Sequence, residues 1–169
     1  MKAPSKRERL VEAAANRFHR SGLAATSIAE VANDARIPAG NVYYYFRTKD
    51  LLAVAVQEFW VTRTDEALAD IDAAHADALS RLTAFIDRSE RNAPLYAETG
   101  CPIAALSRDF RSGGASLQPV AGRIFEKQAQ WLEAQFAAMG LSTRDRTSAA
   151  WSMLIAIQGG IGLAHASHR

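Results

Sequence analysis

"TSIAEVANDARIPAGNVYYYFRTKDLL", residues 26–52, decides how the chain folds. Ser27 stands three residues before Glu30, the spacing of a capping box, and Ile28, Val31, Ala32 and Ala35 form one apolar stripe. A short helix is therefore expected from Ser27 to near Ala35. After the link Arg36 and Ile37, Pro38 suits the first turn of another helix, because its missing amide hydrogen would have had no helical partner there. That helix should end near Phe46. Thr48 then reads as the N-cap of a fourth helix, with Asp50 in its positive first turn. Two short helices joined by a tight turn make a helix-turn-helix pair.

Three of the four tyrosines are consecutive here, at Tyr43, Tyr44 and Tyr45. Successive side chains on a helix fan out by about 100°, so three adjacent rings cannot share one buried face. Tyr45 and Phe46 are expected to lean into the core, and Tyr43 and Tyr44 to face outwards. A phenol packs at its base and donates a hydrogen bond at its tip, which suits a phosphate.

Working outwards, a first helix should start near Ser5, bury Leu10, Ala14 and Phe18, and stop at Gly22. The fourth helix should continue to about Asp72 with Leu52, Ala55, Val56, Phe59 and Trp60 on its apolar face. Further helices are expected over about 76–92, 102–111, 117–139 and 142–167, with gaps at "RNAPLYAETGCP", "RSGGAS" and "MGLS". Alternating β-branched runs are absent. The expectation is an all-α protein of about nine helices: a three-helix helix-turn-helix head, a long fourth helix, and a C-terminal helical body for ligand binding and dimerisation. The boundary is placed at residue 50, giving a head over 1–50 and a body over 51–169.

Charge divides at the same place. Residues 1–50 carry nine Lys/Arg against five Asp/Glu, and the remainder eleven against thirteen, so the head is +4 and the body −2. A basic head on a mildly acidic body points to an anionic partner at one end, such as nucleic acid. The single Cys101 excludes an internal disulfide. Charges fill the start of the chain where a signal peptide needs an apolar core, and no apolar run reaches the roughly 20 residues of a membrane span. A cytoplasmic protein without a membrane partner is expected.

In helix-turn-helix geometry the second helix of the pair enters the major groove. Pro38, Ala39 and Gly40 are small enough to let the backbone approach DNA, and Asn41 has an amide able to pair with adenine. Tyr43, Tyr44 and Lys49 are the candidates for phosphate contacts, and Thr26 or Ser27 can hold a phosphate across the groove. The structural alternative is that an aromatic cluster is merely core; it suits Tyr45 and Phe46.

These residues resemble the DNA-binding head of the TetR family of bacterial transcriptional regulators. Gly40, Asn41, Val42, Tyr43, Tyr44, Tyr45, Phe46, Thr48 and Lys49 fill the family's recognition segment, and the similarity covers about the first third of the chain. It implies a homodimeric repressor that binds double-stranded operator DNA and is released by a small-molecule effector in a divergent body. One departure is Ala29, where many members carry Arg or Lys, so base reading should rest on the second helix of the pair.

The last two expected helices carry broad apolar faces that include Val120 on the first of them. Trp131, Trp151, Leu154, Ile157, Gly160 and Ile161 are the candidates for a four-helix dimer interface. Gly159, Gly160 and Gly162 lie in a helical pattern with no preceding strand, which excludes a phosphate loop. Two recognition helices must sit about 34 Å apart along the duplex, so an effector site should touch the fourth helix. Trp60, Phe85, Tyr96, Phe110 and Phe125 are candidate lining residues. Cys101, placed before Pro102 at a helix N-terminus, is a candidate sensor whose thiol pKa the helix dipole would lower; the plain alternative is a small buried residue. The scattered histidines suggest no metal site, and no cofactor is expected. Rival readings are a thiol enzyme using Cys101, for which no base is placed by a motif, and a helical protein-interaction module.

Overall fold

The computed structural model describes residues 3–113, 117 and 122–167. Among them are nine helices and no strand: α1 Lys6–Ser21, α2 Ile28–Asp34, α3 Ala39–Tyr45, α4 Lys49–Ala74, α5 Ala78–Arg91, α6 Ala93–Thr99, α7 Pro102–Ser112, α8 Arg123–Ala138 and α9 Thr143–Ser167. They fall into two compact units, Met1–Val61 with Ala105–Ala121, and Thr62–Ala104 with Gly122–Arg169. The helices α4 and α7 each contribute to both.

In the first unit, α1 begins with a reciprocal capping box between Ser5 and Glu8, and ends at Gly22. Its spacing puts Leu10, Ala14 and Phe18 on one face, and all three are buried with Val31, Ala32, Ile37, Val42, Phe46, Leu52 and Val56. Each large side chain in this core stabilises the fold by roughly 1.5–3 kcal/mol. Leu106, Phe110 and Leu117, from beyond the fourth helix, belong to the same core. The side chain of Arg7 covers the Phe46 ring, 5.2 Å from its centroid.

In the second unit, α5, α8 and α9 pack through Leu82, Phe85, Ala129, Leu132, Ala150 and Leu154, joined by Leu68 and Ile71 of α4. The Trp131 ring stacks on Phe85 at 5.6 Å. Its indole nitrogen donates to the Asp72 carboxylate at 3.0 Å, so the polar end of a core tryptophan is satisfied.

The structure corrects several local expectations. The stretch 91–102, expected to be a gap, contains α6, with Pro94 in its first turn, where proline is tolerated. The helix expected from Leu117 starts at Arg123, after Gly122 with a positive φ of 89°. Leu117 instead plugs the first unit's core. Val120 and His168 lie outside the described residues. Pro38 is the N-cap of α3, one place earlier than expected. Finally, α9 is long and apolar enough to cross a membrane by length and composition alone; interspersed Gly, Ser and Gln hide this in a reading that looks for an unbroken apolar run.

Candidate nucleic-acid interface

The link between α1 and α2 is fastened by hydrogen bonds from both nearby and distant residues. Gly22 takes a φ of 80°, which a side chain would strain, and its N–H donates to the Phe18 carbonyl at 2.9 Å. The Leu23 backbone is then held on both sides: its N–H donates to Asp109 Oδ2 at 2.7 Å, and its carbonyl accepts from Lys49 Nζ at 2.9 Å. The same ammonium donates to the carbonyls of Ala24 and Thr26, each at 3.1 Å. Thr26 Oγ1 donates to the Gly22 carbonyl at 2.8 Å.

Next along the chain, Ser27 opens α2 with the capping box expected from its spacing: its hydroxyl accepts from the Glu30 amide, and its own amide donates to the Glu30 carboxylate at 2.8 Å. Hydrogen bonds from the Ser27 amide and hydroxyl hold the Glu30 carboxyl below the usual range. At the other end of α2, Arg17 forks onto Asp34 and reaches Glu30 at 3.4 Å. The guanidinium hydrogen bond likewise keeps the Asp34 carboxyl low. Arg9 donates to the carbonyls of Ala35 and Arg36, two acceptors the end of α2 leaves open. Arg36 has a φ of 53°, the one left-handed non-glycine among the described residues, and it turns the chain sharply into α3.

With α2 fixed at both ends, α3 is seated through Val42 and Phe46, both buried, while Tyr45 is half-buried against the same core. Pro38, Ala39, Gly40, Asn41, Tyr43 and Tyr44 are all exposed. The Tyr43 and Tyr44 rings are 57% and 84% accessible, which makes Tyr44 the most open large aromatic on α3. Tyr45 meets Tyr44 edge-on at 5.0 Å and stiffens it. A side chain added at Gly40 would meet no atom within 4 Å, so nothing in this unit's own packing calls for glycine there.

Two phosphate candidates take other roles. The three ammonium protons of Lys49 match its three carbonyl acceptors, so this side chain is a brace inside the unit. Thr26 is buried and its hydroxyl is spent on Gly22, so it offers nothing outwards. Ser27 stays exposed. Sequence reading missed Arg9, Arg17 and Asp109, whose partners lie 13 to 86 residues away.

The effector candidates do not form one site. Trp60 and Phe110 pack with the first unit's core, and Phe85 belongs to the second unit's core. Tyr96 and Cys101 are partly or fully buried in the second unit. Burial pushes the Cys101 thiol up, against the bonds from the Ala104 and Ile103 amides that favour the thiolate, so the lowered pKa expected from the helix N-terminus is not found. Phe125 lines an open apolar groove of about 400 Å³ with Trp151, Leu154, Ile155 and Gln158.

Of the dimer candidates, Leu154 is core and Trp131 is half-buried on Phe85. Ile157 packs against that core, whereas Trp151 and Gly160 are exposed. Ile161 is intermediate. Ile155 and Leu163 add exposed apolar surface to α9. Among the described residues, no three His, Cys, Asp or Glu side chains gather as a metal site.

A buried three-helix base that presents one short helix with small residues and outward tyrosines defines a helix-turn-helix DNA-binding domain. Residues 10–56 match the sequence profile of the bacterial regulatory proteins of the tetR family. An HTH-type transcriptional regulator of Bacillus subtilis is 28% identical over 67 residues, a match spanning 40% of this chain and 23% of that protein. The fold extends further. A TetR transcriptional regulator from Legionella pneumophila superposes with a TM-score of 0.87 at 24% identity, covering 100% of this chain and 91% of that one. A regulatory protein TetR from Rhodobacter sphaeroides gives 0.81 at 23% identity, covering 95% and 89%.

Proposed function

We propose that the protein is a sequence-specific regulator of transcription in the bacterial cytoplasm, binding operator DNA as a homodimer and released from it by a small apolar or reactive effector. The observation that carries this reading is the state of α3: Val42 and Phe46 are buried, whereas Ala39, Gly40, Asn41, Tyr43 and Tyr44 are all exposed. Glycine inside a helix costs about 1 kcal/mol relative to alanine, and Gly40 has no neighbour in its own unit to justify it. Close approach of a partner does justify it. In this reading Ala39, Gly40 and Asn41 meet base edges, and Tyr43, Tyr44 and Ser27 meet the phosphate backbone.

The division of labour follows the chain: residues 1–50 supply the DNA-reading surface and 51–169 the effector and dimer functions. For the dimer, the exposed Trp151, Ile155, Gly160 and Leu163 of α9 and the half-buried Ile161, with the groove beside Phe125, offer an apolar face suited to a second copy. For the effector, Tyr96 and Cys101 remain candidates for a site within the second unit. The exposed tyrosines favour a DNA regulator over a thiol enzyme, since Cys101 is buried and burial raises its thiol pKa.

Selection of duplexes from a random pool by the purified protein tests the reading. Enrichment of a two-fold symmetric site is the expected result; a pool that stays random, with no salt-dependent binding to any duplex, would sink it.

A further inference from the structure

One anchor of the α1–α2 link comes from far outside that segment. Asp109 on α7 lies 86 positions from Leu23, yet its Oδ2 accepts the Leu23 amide at 2.7 Å in the same compact unit. That amide follows the left-handed Gly22, past the end of α1, where no helical carbonyl is available to it. Leu23 is buried, so water is a poor substitute acceptor. Leu106 and Phe110, on either side of Asp109, are anchored in the unit's core and fix where the carboxylate stands. A Cβ at Gly22 would sit 3.5 Å from Asp109 Oδ2, in ordinary contact.

We infer that Asp109 is a positioning residue of the DNA-binding surface: by holding the Leu23 amide it sets the α1–α2 link, and through it the placement of the α2–α3 pair. The inference rests on the DNA-binding reading above. It has an uncommon signature. Asp109 is a negative charge in a unit that binds a polyanion, so on electrostatics alone its removal strengthens DNA binding. As a positioning residue, its removal weakens it.

Two substitutions separate these cases. Asp109→Asn removes the charge and keeps an oxygen acceptor; Asp109→Ala removes both. Binding of duplexes selected by the parent protein is measured with amide hydrogen exchange at Leu23, and circular dichroism confirms the helical content. Expected results are parent-like or tighter binding and a protected Leu23 amide for Asp109→Asn, and about tenfold weaker binding with fast Leu23 exchange for Asp109→Ala. Parent-like binding by Asp109→Ala, or equal exchange at Leu23 in all three proteins, overturns the positioning role alone. A parent that binds no duplex overturns the DNA-binding reading as well. Should Asp109→Ala lose helical content, Asp109→Asn decides: weakened binding with the amide still protected contradicts the inference, and retained binding with protection supports it.

Discussion

Lys49 Nζ lies 2.9 Å from the carbonyl of Leu23, 26 residues earlier, and the amide of the same residue donates to Asp109. The ammonium at the start of α4 therefore serves the α1–α2 link. Lys49→Ala leaves three carbonyls without this donor and is expected to cost about 1–3 kcal/mol of stability, read as a shift in the urea midpoint. DNA affinity should fall too, with the salt dependence of binding nearly unchanged. A slope reduced by about one unit would instead show that the ammonium meets a phosphate.

The tyrosines and Phe46 should separate binding from folding. Tyr44 is 84% accessible, so Tyr44→Phe is expected to leave the unfolding midpoint in place and weaken binding by about 0.5–1.5 kcal/mol for every duplex sequence alike. Phe46 is buried beneath Arg7, and Phe46→Ala should destabilise the first unit by about 3–5 kcal/mol. Titration of labelled duplex, alongside thermal unfolding, checks both.

Acid should loosen the first unit. The carboxyls of Glu30 and Asp34 are held low in the fold by Ser27 and Arg17. A carboxylate with a depressed folded pKa contributes stability that is present above its unfolded pKa, about 4. It is lost as pH falls through the lower folded value. Thermal midpoints measured downwards from neutrality are expected to hold to about pH 5 and then drop. Asp34→Asn should flatten that drop; an unchanged profile would show that the Arg17 pair carries none of it.

On α9, Ile155 is 68% exposed, so Ile155→Glu is expected to keep the helical content of the parent. If this face pairs two copies, sedimentation should show a dimer for the parent and a monomer for the variant, with weaker operator binding as a consequence. Identical sedimentation of the two proteins would place the interface elsewhere.

Cys101 should be slow to alkylate. It is buried and its thiol is pushed above the ordinary range, so the thiolate is scarce near neutral pH. Trapping with a maleimide at pH 7 is expected to be at least about tenfold slower than in the urea-unfolded protein. Equal rates would restore the case for a reactive sensor.

Much of the first unit was legible because its signals are local. The Ser27–Glu30 spacing, the stop at Gly22 and the fan of consecutive tyrosines each act within one or two turns of backbone, and the capping box, the helix end and the outward rings are all found. Loss of α6 from the sequence reading has a local cause as well, since Pro94 marks a break or a first turn equally well.

What the sequence alone determined is most of the helices, α6 excepted, and which α3 side chains stay out of the core, because periodicity and capping depend on neighbours a few residues apart. Tertiary structure alone decided that Lys49 braces the link, that Thr26 is buried, that Asp109 holds the Leu23 amide, and that Phe110 and Leu117 complete the first unit's core. Those outcomes depend on contacts between segments up to 86 residues apart, formed only when burial removes water as the competing partner and leaves each amide and carbonyl to find an acceptor or donor within the protein.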